Sequence, residues 1–529
     1  MLRRCDAHLG RRAFCGGGLA ASISHVLASP TAAAGREDVV VGLGSAPGPF
    51  DPAVSPGVEQ LIVVRPCYQT LVGRRVDDQG VLHFVPDLAS AWEASTDGLT
   101  WTFHLRDDSR FDDGGAVDAM AVRFSLERLM ALGRGPASLV KSMLASVTVV
   151  DSRTVQWKLR RSAPLTLLAA SEKGAAIVNP RIPGARDDGD WGSRWLSTRT
   201  AGSGPWRLQP VAAEGVWTLE RNPHAPRGPD NGPMQRVQFR EMRDATVRLL
   251  ALQKGDIDLA TAVAIQDLAA VQRDTGLKLL AGPVSAFSNL AMNTQAGPLR
   301  SRTLRQAVAS AIDPTAIARY LREGRATPFR GPLPVGMPGA APDSYTVVFD
   351  MTAARAAVAK AGARGVRLDF IYPGLSQTSD TLAQYLQAAL SEAGLAARLQ
   401  RLSLPAFIDR VGRGTYDLAL MGWVVDSPDP ASIANVWFGA DRIGAGGNYA
   451  RFRDDEVQKL LEASLVSADP GQRARQIESA VRRANAALPY VYLFQTHNWL
   501  VHRVGLRGVE FDPWDLFRLR PERWSWSAA

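Results

Sequence analysis

The chain has 529 residues, 46% apolar and 21% charged, with 61 Lys and Arg against 52 Asp and Glu for a net charge of +9. Ordinary apolar content excludes global disorder, and near-average Gly (47) and Pro (33) exclude collagen-like and low-complexity classes. The length exceeds the roughly 250–300 residues at which single cores stop growing, so several structural units are expected. Only seven cations are Lys, and the Arg are scattered singly or in pairs such as Arg160-Arg161 and Arg482-Arg483. Without a run of like charges this is a solvated Arg-rich surface, and no nucleic-acid partner is expected.

Residues Met1–Ala34 have the layout of an export signal. Arg3, Arg4, Arg11 and Arg12 form a basic start, Ala13–Ala28 is weakly apolar and Gly-rich, and Ala32-Ala33-Ala34 is a small-residue cleavage pattern. Arg11-Arg12-Ala13-Phe14 resembles a twin-arginine signal, which exports folded cargo. The stretch is too short and interrupted to span a bilayer. The residues before Cys15 do not suit a lipidated cysteine, so no lipid anchor is expected. Losing four Arg and one Asp with this segment takes the charge from +9 to +6 and leaves Cys67 as the one cysteine, which excludes an internal disulfide or a Cys-based metal site.

The mature chain interleaves alternation with helical spacing, which predicts mixed α/β structure. Trp101, Phe103 and Leu105 alternate with polar residues, as do Val155, Trp157 and Leu159 after a Val147–Val150 strand and an Asp151 turn. Residues 74–190 are therefore read as rich in antiparallel hairpins, with a helix near Asp118–Leu132. Asp313-Pro314 is a cap followed by Pro at the first helical position. A strand at Val366–Tyr372 leads to a helix capped by Ser379, with Leu382, Tyr385, Leu386, Ala389, Leu390 and Ala393 on one face and Gly394 closing it. A strand at 396–402, a helix at 404–412 and a strand at Asp417–Gly422 follow, the grammar of an open, mostly parallel sheet. Ligands of such sheets bind beyond the carboxyl ends of strands. That points to two loops: Pro373–Thr378, and Trp423–Pro430, which holds one aromatic, two Asp and two Pro.

From Tyr68 onward ordered motifs appear: Tyr68-Gln69-Thr70-Leu71-Val72, Pro86-Asp87-Leu88-Ala89, Asp97-Gly98-Leu99-Thr100-Trp101, Phe111-Asp112-Asp113-Gly114, Gly202-Ser203-Gly204-Pro205-Trp206, Gly255-Asp256-Ile257-Asp258 and Asn293-Thr294-Gln295. Together they resemble the solute-binding proteins for oligopeptides, dipeptides and nickel that serve ATP-driven (ABC) importers, bacterial extracellular solute-binding protein family 5. The resemblance implies an α/β, two-lobed periplasmic-binding-protein fold of type II with an additional α+β domain inserted in the first lobe. It implies a first lobe from 35–73, 191–283 and 496–529, an insertion at 74–190 and a second lobe at 284–495. It also implies a periplasmic, monomeric receptor that takes a peptide or small cationic solute and passes it to membrane permease subunits with cytoplasmic ATPases, with no cofactor and no catalysis.

In peptide-binding members a Gly-Trp is followed shortly by an Asp that pairs with the ligand's α-ammonium. Gly422-Trp423-Val424-Val425-Asp426 matches. The resemblance thus assigns Asp426 as anchor, Trp423 as a pocket wall, and the backbone of Val424, Val425, Gly57 and Val58 as the main-chain sandwich. The last two lie in the stretch after Asp51-Pro52. Main-chain bonding reads peptides regardless of side chain. Dipeptide binders carry Arg for the ligand carboxylate at the start of the helix that here runs Ser379-Asp380-Thr381, so Asp380 stands where a cation is expected. His83, His104, His224, His497 and His502 are dispersed, and no metal is expected. The alternative is a secreted hydrolase acting on peptides or cell-wall material. Ser138-Leu139-Val140-Lys141 has a Ser-x-x-Lys spacing but no Lys-Thr-Gly partner, and there is no Gly-x-Ser-x-Gly elbow or His-Glu-x-x-His helix.

Overall fold

The computed structural model describes residues 36–527 except 55–57, 77–81, 135–136, 161–167, 172–174, 186–188, 212, 227, 229–230, 335–336, 376, 425–428, 445, 468 and 514–517. The export segment, with Cys15 and the cleavage pattern, lies outside the described residues.

An eleven-stranded mixed sheet runs through the molecule in the order 396–402, 367–373, 418–424, 277–292, 490–503, 259–260, 38–43, 236–241, 216–221 and 206–208, with 326–328 pairing off 490–503. Two stretches of it are parallel. Arg367–Pro373 pairs in parallel with Ala396–Leu402 and with Leu418–Val424. Asp38–Leu43 pairs in parallel with Arg236–Glu241 and with Leu259–Ala260. The long strands Leu277–Met292 and Tyr490–Arg503 join these stretches by antiparallel pairing.

A separate antiparallel sheet holds Ala89–Ala94, Thr100–Leu105, Thr154–Leu159 and Leu144–Asp151. The alternation read from the sequence is its register: Phe103 and Leu105 are buried on one strand and Val155, Trp157 and Leu159 on its partner, with the rings of Phe103 and Trp157 5.1 Å apart. The helix Ala119–Leu132 starts where predicted, because the Asp118 carboxylate accepts from Ala121 N at 2.8 Å.

Asp313 likewise caps Pro314 onward, accepting from Thr315 N and Ala316 N. The helix assigned to Ser379 opens two residues earlier, at Gln377, and ends at Glu392. Thr381 Oγ1 donates to Gln377 O at 3.0 Å, a side-chain bond across the helix's first turn. Its buried face is Leu382, Ala383, Leu386 and Leu390, and Gly394 takes a φ of +94° to close it. The strand expected at Asp417–Gly422 is Leu418–Val424 instead. Ala286–Met292 pairs with it along its whole length and draws Trp423 and Val424 out of the loop and into the sheet. Ser138–Lys141 lies in the helix Ala137–Met143. Among the described residues no helix is long and apolar enough to cross a membrane.

Three large clusters of buried apolar residues follow these sheets. One runs from Phe287 to Phe494, one gathers Val39–Val64 with Trp206, Phe239 and Trp524, and one gathers Leu88–Ile177 with Ala53, Leu71 and Val72. The last two are joined through a buried ion pair. Arg128 donates to the two oxygens of Asp51 at 2.8 and 2.6 Å and through Nε to Trp191 O, while Ser193 Oγ donates to Asp51 at 2.6 Å. Both side chains are essentially inaccessible, so each charge depends on the other. Asp51→Ala should therefore lower stability by about 3–5 kcal/mol in urea unfolding. Asp51→Leu combined with Arg128→Met should lose clearly less, because it strands no charge.

Candidate functional site

The parallel pairing Phe370↔Leu418 and Ile371↔Ala419 brings the carboxyl ends of two strands, at Pro373 and Val424, to the same edge of the sheet. The candidate loops therefore share one end of the fold. By this register Val424 reaches about three residues past Pro373, roughly 10 Å further along.

Trp423 is half-buried, its ring 6.5 Å from Trp437 and 6.3 Å from Tyr449. Burial pushes Tyr449 up to about 12, so this aromatic group is uncharged. Val424 is about half exposed and pairs with Ala286. Beyond the loop, Asp429 is buried and caps the helix Pro430–Phe438, accepting from Ser432 N at 2.8 Å and Ser432 Oγ at 2.7 Å. Arg473 donates to its other oxygen. Val424 thus ends a sheet strand, and Asp429, five residues on in sequence, caps a helix. Val425 and Asp426 themselves lie outside the described residues, as does Gly57, and Val58 opens the helix Val58–Val64.

Asp380, in the first turn of Gln377–Glu392, is engaged by a cation. Arg401 Nε donates to its Oδ1 at 2.9 Å and Arg401 NH2 to Gly374 O at 3.2 Å. Gly374 is required for this approach, because a Cβ there would stand 2.4 Å from the guanidinium carbon. Asp380 is thus met by a cation from the neighbouring strand Ala396–Leu402. A second cation stands nearby: Arg322 lines a cavity with Gln377, Thr378 and Thr381. Sequence reading missed both, since a single Arg among scattered Arg carries no spacing signal.

Two acidic residues between 100 and 120 are held by Arg: Asp108 by Arg106 at 2.9 and 2.7 Å, Asp113 by Arg181 at 3.1 and 2.9 Å. Asp112 is pushed up to about 6 by burial and by Asp113. His104 lies 4.0 Å from Glu93. His497 Nε2 lies 2.8 Å from Thr327 Oγ1, close to where the long strands lose register.

The chain matches the family described as bacterial extracellular solute-binding proteins, family 5, over residues 83–445. It is 33% identical to a probable D,D-dipeptide-binding periplasmic protein of Escherichia coli K12, over 91% of this chain and 93% of that protein. It is 23% identical to a dipeptide-binding protein of the same organism, over 85% and 87%. Among solved structures, HbpA2 of Haemophilus parasuis superposes with a TM-score of 0.81 at 23% identity, over 93% of this chain and all of that one. A Helicobacter pylori periplasmic binding protein in complex with peptide STSA superposes at 0.74 and 22%, over 92% and 98%.

Burial, with Arg325 and Arg322, lowers the pKa of His497 below its usual 6.5, and burial, with Lys278 and Arg507, lowers that of His502. The unfolded chain then binds more protons than the folded one below about pH 6.5. The stability these two neutral rings contribute is full above that pH and is lost as pH falls toward their folded values. Imidazole NMR titrations should give midpoints below 6.5 for both.

Proposed function

The chain belongs to the bacterial extracellular solute-binding proteins of family 5, and on that premise we propose that it captures a peptide or related amine-bearing solute between its two lobes and delivers it to an ABC importer. It is a binding protein and not an enzyme, which sets the hydrolase reading aside. The D,D-dipeptide-binding relative and the Helicobacter pylori protein are periplasmic, and the same compartment is its place of work. The export segment is cleaved near Ala34 and the mature receptor carries no lipid anchor and acts as a monomer.

The observation that carries the reading is the tether at the Val424 strand end. Trp423 and Val424 are paired into the sheet, and Asp429 caps the helix Pro430–Phe438 and is ion-paired to Arg473, the two bracketing the segment 425–428 in sequence. Asp426 in that segment pairs with the ligand's ammonium group. A carboxylate with two acceptor oxygens is worth more there once closure excludes water. Trp423 walls the pocket, and the backbone at Val424–Val425 and Gly57–Val58 bonds the peptide main chain. The separate apolar clusters support a first lobe of 35–73, 191–283 and 496–529, an insertion of 74–190 and a second lobe of 284–495. Ala176–Ala185 packs into the first-lobe cluster, so the insertion ends against that lobe.

Mass spectrometry of solutes co-purifying with the protein should identify a short peptide or amine-bearing compound. Asp426→Ala should weaken that solute by on the order of 30-fold or more in calorimetry, with an unchanged melting curve. Unchanged affinity would remove the assignment.

A further inference from the structure

Arg322 follows a π-helical turn, Ile317–Leu321, and precedes Glu323, a non-glycine residue at φ +48°. Such turns concentrate at functional sites, where backbone is held for a purpose. The guanidinium lies 5.5 Å from the Phe494 ring centroid, and Nε is enclosed without a hydrogen-bond partner. Burial lowers its pKa, and no acidic group acts against that. Among the described residues no carboxylate forms an ion pair with it. The nearby carboxylate, Asp380, is held by Arg401.

Arg322 opens onto a cavity of about 130 Å³ bounded by Gln377, Thr378, Thr381, Leu382 and Phe494. At about 30 Å³ per water this holds on the order of four waters, room for a carboxylate and a short stem. The cavity adjoins the first turn of the helix Gln377–Glu392, just past the Pro373 strand end. Its floor is near the candidate loop. Ser288 pairs with Phe494 on one side and with Gly422 on the other, so two strand spacings, roughly 10 Å, separate the backbones of Phe494 and Gly422.

From this geometry we propose that Arg322 is the ligand-carboxylate receptor of this protein, receiving the free C-terminus of a short peptide in the Gln377–Thr381 cavity. The inference rests on the peptide-receptor reading above and names a specificity-determining residue within it. A cation already enclosed and without a counter-charge gains charge-assisted hydrogen bonds when a carboxylate enters.

The test compares L-alanyl-L-alanine and D-alanyl-D-alanine with their C-terminal amides, by calorimetry on the mature protein. The better-bound acid should exceed its amide by on the order of 30-fold or more. Arg322→Met should erase that preference, Arg322→Lys should keep part of it and Arg401→Met should keep all of it. The melting temperature of Arg322→Met should equal or exceed that of the unaltered protein, since the change removes an uncompensated charge. Acid and amide binding alike, or a preference lost in Arg401→Met and kept in Arg322→Met, overturns the proposal. Failure of all four peptides to bind counts against the peptide-receptor reading, and propionate then decides Arg322 alone. In nitrogen-edited NMR the Arg Nε–H resonance missing from Arg322→Met should move on titration with propionate, and a stationary resonance overturns the assignment.

Discussion

The antiparallel ladder between Leu277–Met292 and Tyr490–Arg503 carries the rest of the molecule, since each parallel stretch of the sheet attaches to one end of it. Its register shifts between Pro283 and Phe287. Proline has no N–H to give to a ladder. There Gln495 Nε2 donates to Val284 O at 3.0 Å, and Ser285 N donates to Pro513 O at 2.9 Å in place of a strand partner. Such interruptions bend and twist a sheet. The core that begins at Phe287 lies past this shift, and the core around Val39–Val64 lies on its other side, one in each lobe of the fold. Phe287 and Ala286, just past it, are the residues that hold Trp423 and Val424. The candidate binding segment is therefore built on the part of the ladder nearest the change of direction.

Several motifs that carried the family resemblance prove to be structural locks. Asp258 of Gly255–Asp258 is fully buried and receives Arg36 at 2.8 and 2.7 Å and Val40 N at 2.8 Å, fastening the strand Asp38–Leu43 and the residues just before it to the sheet. Asn293 donates to Gly414 O and Tyr416 O and accepts from Gln295 N and Ala296 N, so one side chain ties the end of a long strand to the loop before Leu418. At Gly202 and Gly204 a Cβ would stand 2.0 Å from Cys67 O and 2.5 Å from Pro66 O, which only glycine tolerates. Asp51 stands before the stretch assigned to the ligand's main chain, yet its own carboxylate is spent on Arg128 and Ser193.

This explains what could be read from the sequence. Strands with one buried face were legible because alternation is a direct image of burial, as at Phe103–Leu105. Capped helices were legible because Asp118 and Asp313 accept from the amides that such residues serve. The extension of Leu418–Val424 was not, since it depends on a partner strand more than a hundred residues away in sequence. The same limit applies to charge. Asp380 was visible by position, but the Arg401 that meets it comes from a neighbouring strand, and the exposure of any one Arg is set by elements distant in the chain.

Arg322, partly buried, differs from the buried arginines in what its guanidinium meets. Arg128 is neutralised by Asp51. Arg248 donates to the carbonyls of Thr261, Met242 and Ala262, and Arg305 to those of Leu299, Arg300, Ala487 and Leu488. Those guanidinium groups cross-link backbone and have little left to offer a ligand. Arg322 has instead the face of Phe494, which stabilises a cation without occupying its N–H groups. Partial enclosure of that charge is a cost borne on folding, before any solute arrives. A carboxylate entering the cavity then meets donors that need little further desolvation, and less of the interaction is lost to reorganisation. The same preparation works against a neutral solute, which would displace water from the cation without replacing its hydrogen bonds. The unpaired charge of Arg322 thus becomes the source of the receptor's discrimination.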